Sequence, residues 1–461
     1  MKASTEVTRT AIAAWLEREE AELGAQLTQP LALWCASHTP TAEALREHTH
    51  ALLQRTIEHL HGDENPSPSS PAVEVLIGAL APRYPTARHV YVSWTEDQIL
   101  VSDAAQRIPS QADLHPIVIT IVACYIAAAA VNALLNYPFS PAKRTVRISV
   151  RDLLGMDPTW ARDKIALGEA VLAGAGAVGN GFLTGLRCFA VQGRLYIADP
   201  KVVKDSILPR CLWFDLSDIE EPKAEVLVRK AAPTFRDLTL IPWKGTVSEL
   251  RVTLPGSKIE RLIVGVDSRR ARRRLQSELP REVYDASTTG IAEVVLHFNT
   301  SQDTNACMAC IYKEELGELQ HETHVAEALG ISVDAVRREF VTHSDAVAIV
   351  KHHPDLEVGA LIGRAFDSLF RERCATGKLP SDADRQVLPP LPFVSVLAGA
   401  WLALETMRRI AGEAPAERFN YWRLSPWHSP NPVLRQMRPK DPVCECCSNE
   451  AVREAIGILW G

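Results

Sequence analysis

Residues 170–186 read AVLAGAGAVGNGFLTGL and hold the strongest chemical pattern in the chain. A short apolar run leads into the turn Gly174-x-Gly176-x-x-Gly179, and a helical pattern follows. Glycines permit a tight turn and close backbone approach, and the N-terminus of the next helix offers unpaired N–H groups to phosphate. Asp199 ends the following apolar run at the distance where an acidic residue binds ribose hydroxyls. The pattern predicts a nucleotide site, and by itself it fits NAD as well as ATP.

Two basic residues and a second carboxylate follow Asp199. Arg210 lies in DPKVVKDSILPRCLWF, and Lys223 begins a helical pattern in EEPKAEVLVRKAAP. Asp267 ends the apolar run LIVGVD, so we expect it at the carboxyl edge of a parallel sheet, where ligands bind. This set suits ATP with a magnesium ion, with Arg210 and Lys223 on the β- and γ-phosphates and Asp267 on the metal and α-phosphate. Each charge taken alone is more often a solvated surface residue.

Five of the ten cysteines lie in two tight groups far apart in the sequence. Cys307-Met-Ala-Cys310 and Cys444-Glu-Cys-Cys447 are both C-x-x-C pairs, which predicts four thiolates around one structural Zn²⁺. Cys446 could replace either member of the second pair. Such a site is closed, so its expected role is to tie the C-terminal tail to the rest of the fold.

The composition limits the possible partners. The net charge of -6 and the pI of about 6.2 do not favour a nucleic-acid-binding surface. The apolar run Ile117–Val131 is shorter than the ~20 residues of a membrane span and has no flanking Lys or Arg, so we expect a buried helix or a strand–helix pair. The charged first 20 residues lack the pattern of a secretory signal. We therefore predict a cytoplasmic protein without a membrane or nucleic-acid partner.

Strand and helix patterns alternate from Glu169 to Thr300, which predicts βαβ units. The expected fold class is α/β, with a Rossmann-like, doubly wound, mostly parallel sheet, a helical insertion and a helical N-terminal extension. Residues 1–60 show helical spacing, and the polar, proline-rich stretch 61–71 is expected to be a linker. Residues 311–385 have a helical pattern throughout, and an apolar helix is expected at Val394–Ile410.

The order of these motifs resembles the ThiF-type adenylation domain. The shared order is the glycine turn, Asp199, Arg210, Pro-Lys-Ala, Asp267, Thr-Thr-Gly and Cys-x-x-Cys. That domain occurs in ubiquitin-activating enzymes and in the sulfur-carrier adenylyltransferases of thiamine and molybdopterin synthesis. The resemblance covers roughly residues 166–461, apart from the helical stretch after Cys310. It implies that a C-terminal glycine carboxylate attacks ATP, giving an acyl-adenylate and pyrophosphate.

The resemblance also implies a division of the chain. The expected parts are a helical segment (1–60), a linker (61–71), a possible reduced and inactive adenylation-like domain (72–156), the ATP-binding adenylation domain (157–310), the helical insertion with a candidate catalytic cysteine (311–385) and a C-terminal part with the second zinc-ligand pair (386–461).

Cys374 is the candidate nucleophile that the resemblance suggests. In the family, a cysteine in a mobile crossover loop precedes a proline-rich entry to an apolar helix, and that helix resembles Val394–Ile410. The cysteine attacks the acyl-adenylate to form a thioester, or acts in sulfur transfer. Arg371, Arg373 and Lys378 surround Cys374 in the sequence and would favour its thiolate. The catalytic set implied by the resemblance is therefore Cys374, Asp267 and Arg210.

Two features depart from the family pattern. The family usually has an asparagine three residues before the arginine, and here that position is Ile207. The arginine-containing segment before the glycine turn, which often reaches into a partner half-site, has no clear match. Arg147, Arg151 and Arg162 are candidates for that task.

Three functions remain open at the level of sequence. The favoured one is activation of a ubiquitin-like protein, with transfer from Cys374 to a conjugating enzyme, by a homodimer resembling stand-alone bacterial versions, some of them in antiviral defence. The second is a sulfur-carrier or peptide adenylyltransferase that stops at the acyl-adenylate. The third is a DNA-binding regulator, because His324–Phe340 resembles a helix-turn-helix.

Overall fold

The structure is a computed structural model of the chain. It describes a large part of both halves, namely residues 12, 20–36, 39–62, 70–105, 112–135, 145–314, 316–338, 340–364, 366–375, 391–413 and 419–461.

The N-terminal part forms a six-stranded sheet in the order β2-β1-β3-β4-β5-β6. The first four strands in that order are parallel, and the last two are antiparallel to their neighbours. Its elements are α1 (Glu20–Leu27), β1 (Leu31–Cys35), α2 (Pro40–Leu53), β2 (Leu60–His61), β3 (Val73–Ile77), β4 (Arg88–Trp94), β5 (Gln98–Ser102), α3 (Pro116–Leu135), β6 (Thr145–Ser149) and α4 (Val150–Leu154).

The helical interpretation of residues 1–60 is incomplete, because strand β1 lies between α1 and α2. The run LALWC has four buried residues, and a short apolar run is indistinguishable from a helical face by spacing alone. Strands β1 and β2 pair with each other, and β1 pairs with β3. The sheet therefore crosses the expected boundary at 61–71. Residues 63–69 of that expected linker lie outside the described residues.

The C-terminal part forms an eight-stranded sheet in the order β14-β13-β12-β11-β10-β7-β8-β9. Its elements are β7 (Lys164–Ala173), α5 (Ala177–Leu186), β8 (Ala190–Ala198), α6 (Lys223–Ala231), β9 (Asp237–Trp243), α7 (Val247–Arg251), β10 (Arg261–Val264), α8 (Arg269–Ser277), β11 (Glu282–Thr289), β12 (Glu293–Thr300), α9 (Met308–Ile311), α10 (Leu316–Leu329), α11 (Val333–Arg337), α12 (His343–His352), α13 (Val358–Leu361), α14 (Phe366–Ala375), α15 (Pro392–Ile410), β13 (Tyr421–Leu424), β14 (Arg435–Gln436) and α16 (Glu450–Trp460).

Five strands of this sheet, β9-β8-β7-β10-β11, are parallel, and β12 to β14 continue it in antiparallel fashion. In chain order the parallel strands run 3-2-1-4-5, which is the doubly wound order. The α/β prediction is confirmed. The chain order reverses between β7 and β10, and ligands of such sheets bind in the crevice at that switch point.

Two apolar helices join the sheets. Helix α15 packs against α5, β11 and β12 on one side and against α3 on the other. Helix α3 is long and apolar enough to cross a membrane, but 83% of its most apolar window is buried inside the fold. Its apolar residues also pack against α2 and β3–β5, so the expectation of a buried helix at Ile117–Val131 is confirmed. Both sheets therefore share one hydrophobic core.

The predicted helical insertion is helical over its described residues, where it comprises α10 to α14. These helices have their own small apolar core, which includes Leu329, Val336, Ile349 and Phe366. An insertion with a core of its own can hold a fixed shape against the sheet domain. Residues 376–390, which include the rest of the expected insertion, lie outside the described residues.

Candidate nucleotide site and zinc-ligand cluster

A cavity of about 440 Å³ opens at the switch point of the eight-stranded sheet. Its walls come from the segments that follow β7, β8, β9, β10 and β11. Six of the seven nucleotide-binding residues expected from the sequence line it, namely Gly174, Gly176, Asp199, Arg210, Lys223 and Asp267. Segments separated by almost a hundred residues in the sequence thus meet around one space large enough for a small ligand.

The glycine turn forms one wall of the cavity. Gly174 has a φ of +97°, a conformation that side chains rarely adopt, and a Cβ there would lie 3.1 Å from the carbonyl oxygen of Gly265. Gly176 is the N-cap of α5 and faces open space. Gly179 does not line the cavity, because it packs on the turn itself, where a Cβ would lie 2.1 Å from the Gly174 oxygen. The helix N-terminus therefore faces the cavity with its N–H groups free of side-chain capping.

Asp199 sits at the carboxyl end of β8. Its Oδ2 accepts a hydrogen bond from the Ala175 N–H at 2.8 Å, and its Oδ1 accepts one from the Lys201 N–H at 2.8 Å. Each carboxylate oxygen keeps a further lone pair. The side chain is buried but borders the cavity, so it is fixed by the backbone and still able to accept two ligand hydroxyls.

Arg210 and Lys223 are two of the five basic residues that line the cavity, beside Lys201, Arg272 and Arg274. Arg210 ends a 3-10 turn at Asp205–Arg210, and its buried Nε has no hydrogen-bond partner among the described residues. Burial lowers the pKa of Arg210, while Cys211 and Asp267 oppose the shift; a guanidinium remains charged under these conditions. Lys223 is buried at the first position of α6, where its backbone N–H donates to the Lys201 oxygen. Both cations have lost part of their hydration by burial, and the negative charge of a ligand would compensate for that loss.

Asp267 follows β10 on the opposite wall. Its side chain is 77% exposed, and its Oδ1 lies 3.9 Å from the Lys201 Nζ. A magnesium ion typically takes one or two protein carboxylates and completes its shell with water and phosphate oxygens. Asp267 fits that requirement, because its carboxylate is accessible and lies beside a cavity lined with basic residues.

A buried ion pair in the cavity wall, between Arg272 and Asp285, was not expected from the sequence. The Arg272 Nε donates to Asp285 Oδ1 at 2.8 Å. The Arg272 Nη2 donates to the carbonyl oxygens of Val266 and Ala286. The Tyr312 hydroxyl donates to the other Asp285 oxygen. Arg272 thereby joins the end of β10, which carries Asp267, to β11. The only sequence signal was the arginine run SRRARRRL, whose buried members cannot be identified from spacing.

The helical insertion closes one side of the cavity. Phe340 lines it, and the Lys201 Nζ lies 5.8 Å from the centre of the Phe340 ring. Arg274, which also lines it, donates to the carbonyl oxygen of Arg338 in the insertion. Arg270 lies between Glu322 of α10 and Asp367 of α14, with both contacts at 3.1 Å. Helix α8 is therefore shared by the cavity and the insertion.

Cys374, the predicted nucleophile, lies on helix α14, and its side chain is outside the described residues. The same helix carries Asp367, the partner of Arg270. Arg373, expected to favour the Cys374 thiolate, is buried and pairs with Asp355 at 3.1 Å. The role of Cys374 stays a prediction.

The structure places both features in which the sequence departs from the family pattern, namely Ile207 and the three candidate arginines. Ile207 lines the cavity, so an apolar side chain stands where a polar contact was expected. Arg147, Arg151 and Arg162 are exposed residues outside the described cavity wall. Their expected reach into a partner half-site stays a prediction.

The four predicted zinc ligands meet where the segments that follow β12 and β14 come together. The sulfur atoms of Cys307, Cys310, Cys444 and Cys447 all lie within 4.8 Å of one another. The closest pairs are 3.4 to 3.8 Å apart, whereas a disulfide needs about 2.05 Å. A tetrahedral ion with Zn–S bonds of about 2.3 Å places its sulfurs about 3.8 Å apart. The cluster therefore fits one zinc ion.

The protonation of the four thiols would depend on a bound metal. Burial, followed by the nearby Cys310, raises the pKa of Cys447 to about 12. Thiols crowded in this way carry little negative charge by themselves, and a bound dication would deprotonate them. The Asp441 N–H also donates to the Cys310 sulfur at 3.4 Å, which is the kind of outer contact that orients a thiolate ligand.

Comparison with known families agrees with the fold. Residues 157–446, more than half of the chain, match the ThiF family, and residues 1–155 match the E1 N-terminal domain. The chain belongs to the ThiF family.

Individual relatives are distant. The uncharacterized protein y4jF of Sinorhizobium fredii is 27% identical over 335 residues, which cover 67% of this chain and 63% of that protein. The chain thus spans less than two thirds of that relative's length. E. coli MccB with ATP is 12% identical, with a TM-score of 0.39 over 78% of this chain and 98% of MccB. PaaA is 11% identical, with a TM-score of 0.35 over 66% and 70% of the two chains. Similarities this weak assign no substrate.

Proposed function

We propose that the chain is an ATP-dependent adenylyltransferase that activates the C-terminal glycine of a ubiquitin-like protein. One observation carries the proposal: Asp199, Arg210, Lys223 and Asp267 line one cavity at the switch point beside a glycine turn. The match of residues 1–155 to the E1 N-terminal domain, beside the ThiF match of residues 157–446, supports a ubiquitin-like substrate.

The first step requires positioning and charge stabilisation. A glycine carboxylate oxygen of the partner attacks the α-phosphorus of ATP, a P–O bond forms, and the bond to the β-phosphate oxygen breaks to release pyrophosphate. Asp199 binds the ribose hydroxyls, and the α5 N-terminus faces the phosphates. Arg210 and Lys223 stabilise the charge that accumulates on pyrophosphate. A magnesium ion held by Asp267 would supply further positive charge at the phosphates.

The second step transfers the acyl group to Cys374. Its thiolate attacks the acyl carbon, a C–S bond forms, the C–O bond to the adenylate breaks and AMP leaves. The link from α8 through Arg270 to Asp367 supports this role, because it joins the cysteine-bearing helix to the segment that follows Asp267. A thioester keeps the activated group on the protein for transfer to a conjugating enzyme. The conjugating enzyme, a homodimeric state and a cytoplasmic location are parts of the proposal.

A partner screen tests both steps. Purified chain is mixed with ATP, labelled pyrophosphate and candidate ubiquitin-like proteins ending in glycine, and exchange of label into ATP is measured. Cys374→Ala should keep the exchange and lose a covalent adduct that a reducing agent cleaves on a gel. Cys35→Ala, a cysteine of the N-terminal sheet, is the matched control and should keep both.

The outcomes separate the candidate functions. An adduct that persists in Cys374→Ala would place the nucleophile elsewhere. Exchange without any adduct in the wild type would mean that the enzyme stops at the acyl-adenylate, as a sulfur-carrier or peptide adenylyltransferase does. The DNA-binding alternative gains no support, because α11 has only five residues and its Arg337 pairs with the buried Glu322 at 2.9 Å.

A further inference from the structure

Arg55 connects the N-terminal sheet domain to the segment that carries Arg210. It follows helix α2. Its guanidinium donates hydrogen bonds to three backbone oxygens of that segment: Leu208, Leu212 at 3.2 Å and Phe214 at 3.1 Å. These three carbonyls flank Arg210 on both sides in the sequence.

The segment needs such a partner because it is largely irregular. Its 3-10 turn ends at Arg210, and the chain then passes through Cys211–Phe214 without regular structure before the next short turn. Carbonyl groups at a helix end have no partner within the helix and must be satisfied from elsewhere. A guanidinium offers five N–H donors in a fixed plane, so one arginine can bind three carbonyls together, which an ammonium group does less well.

A second anchor holds the same segment from the side of the glycine turn. The Asn180 side chain, on α5, accepts a hydrogen bond from the Trp213 N–H at 3.1 Å. Its amide nitrogen donates to the carbonyl oxygens of Ala175 and Gly176, each at 3.0 Å. The segment is therefore fixed between the phosphate-facing turn and Arg55.

Arg210 depends on this backbone support. Its Nε is buried without a hydrogen-bond partner among the described residues. The Nε–H therefore donates no bond that would fix the direction of the Arg210 side chain. The position of its guanidinium in the cavity follows from where the backbone of residues 208–214 is held.

We propose that Arg55 is a positioning residue for Arg210, so that the N-terminal domain sets the affinity of the cavity for a triphosphate. This inference rests on the proposed ATP site. It assigns to the N-terminal sheet a task in nucleotide binding that requires no residue of that sheet inside the cavity.

Comparison of ATP with AMP by calorimetric titration tests the proposal. AMP lacks the β- and γ-phosphates that Arg210 is proposed to bind, so AMP affinity reports the general integrity of the site. Arg55→Ala should weaken ATP binding by about tenfold, which is the effect of losing one charged hydrogen bond between Arg210 and a phosphate. AMP affinity should stay within about twofold. Arg55→Lys should be intermediate, and Arg46→Ala, on α2 itself, is the control and should bind both nucleotides as the wild type does.

A double variant adds a second readout. If Arg55 acts through Arg210, then Arg55→Ala combined with Arg210→Ala should bind ATP no more weakly than Arg210→Ala alone. Additive losses, an equal loss of AMP and ATP affinity in Arg55→Ala, or unchanged ATP affinity would each overturn the inference while leaving the proposed function intact. A wild-type chain that binds no ATP would overturn the proposed function and this inference together.

Discussion

The two sheets are built on the same plan at their centres, yet among the described residues only the eight-stranded sheet carries a candidate nucleotide site. In each, a buried parallel strand ends at a glycine with positive φ: Gly78 after β3, at +90°, and Gly174 after β7, at +97°. The chain enters helix α5 soon after Gly174, whereas residues 79–87 after Gly78 contain no helix before β4 begins. The Gly174 turn therefore leads directly into a helix N-terminus, and the Gly78 turn does not.

The acidic residues differ in the same way. Glu74 lies within β3 and is fully buried, and it accepts hydrogen bonds from Trp34 Nε1 at 2.9 Å and the Tyr84 N–H at 3.0 Å. Asp199 lies at a strand end and borders an open cavity. The comparison shows that a parallel strand followed by glycine does not make a nucleotide site. A helix N-terminus and a strand-end carboxylate facing free space are also needed.

Replacing Asp199 and Glu74, each in a separate variant, by a neutral residue should give the largest difference in nucleotide affinity between the two sheets. Asp199→Ala removes the carboxylate proposed to bind the ribose and leaves the Ala175 N–H without its acceptor, so affinity for ATP and for AMP should each fall by about 100-fold. Glu74→Gln should leave nucleotide affinity unchanged and lower the free energy of unfolding by about 2 kcal/mol, because a buried acceptor is lost. Calorimetric titration and denaturant unfolding measure the two effects. Reduced ATP affinity in Glu74→Gln would contradict the claim that Glu74 has a structural role alone.

Substituting the paired glycines should give a smaller contrast. Gly174→Ala and Gly78→Ala both force alanine into a conformation with positive φ, so each should cost about 1–3 kcal/mol of stability. Only Gly174→Ala should also weaken ATP binding, by about tenfold, because its Cβ pushes the turn away from Gly265. Titration of both variants with ATP is the test. Equal ATP affinities of the two would show that the turn does not contribute to the site.

Zinc removal should leave nucleotide affinity nearly unchanged. The cluster ties the tail to the segment after β12, so Cys444→Ala should lose zinc and make α16 more sensitive to proteolysis, while ATP affinity should change by less than about twofold. Elemental analysis should find one zinc per wild-type chain. Cys446→Ala should keep the metal, because its sulfur is not among the four that meet. A zinc-free wild type, or loss of zinc in Cys446→Ala, would contradict the assignment.

The sequence predicted the parts of the site that have local signatures. The glycine turn, the strand-end carboxylates and the two C-x-x-C pairs each depend on spacing within a few residues, and the structure brings them together as expected. Arg55 and Phe340 had no such signature, because Arg55 binds the segment that carries Arg210 from 153 residues before Leu208, and Phe340 lines the cavity from the helical insertion. Strand β1 was missed because five apolar residues between two helices do not reveal their period.

The central claim is ATP chemistry at the eight-stranded sheet, and pyrophosphate exchange by Asp267→Ala tests it most directly. Asp237→Ala is the matched control, since Asp237 starts β9 on the same sheet and pairs with Lys164 at the surface. With a partner protein ending in glycine, the wild type and Asp237→Ala should exchange pyrophosphate into ATP. Asp267→Ala should fold normally and show no exchange. Exchange that persists in Asp267→Ala, or NAD reduction by a wild type that shows no exchange with any partner, would contradict the assignment.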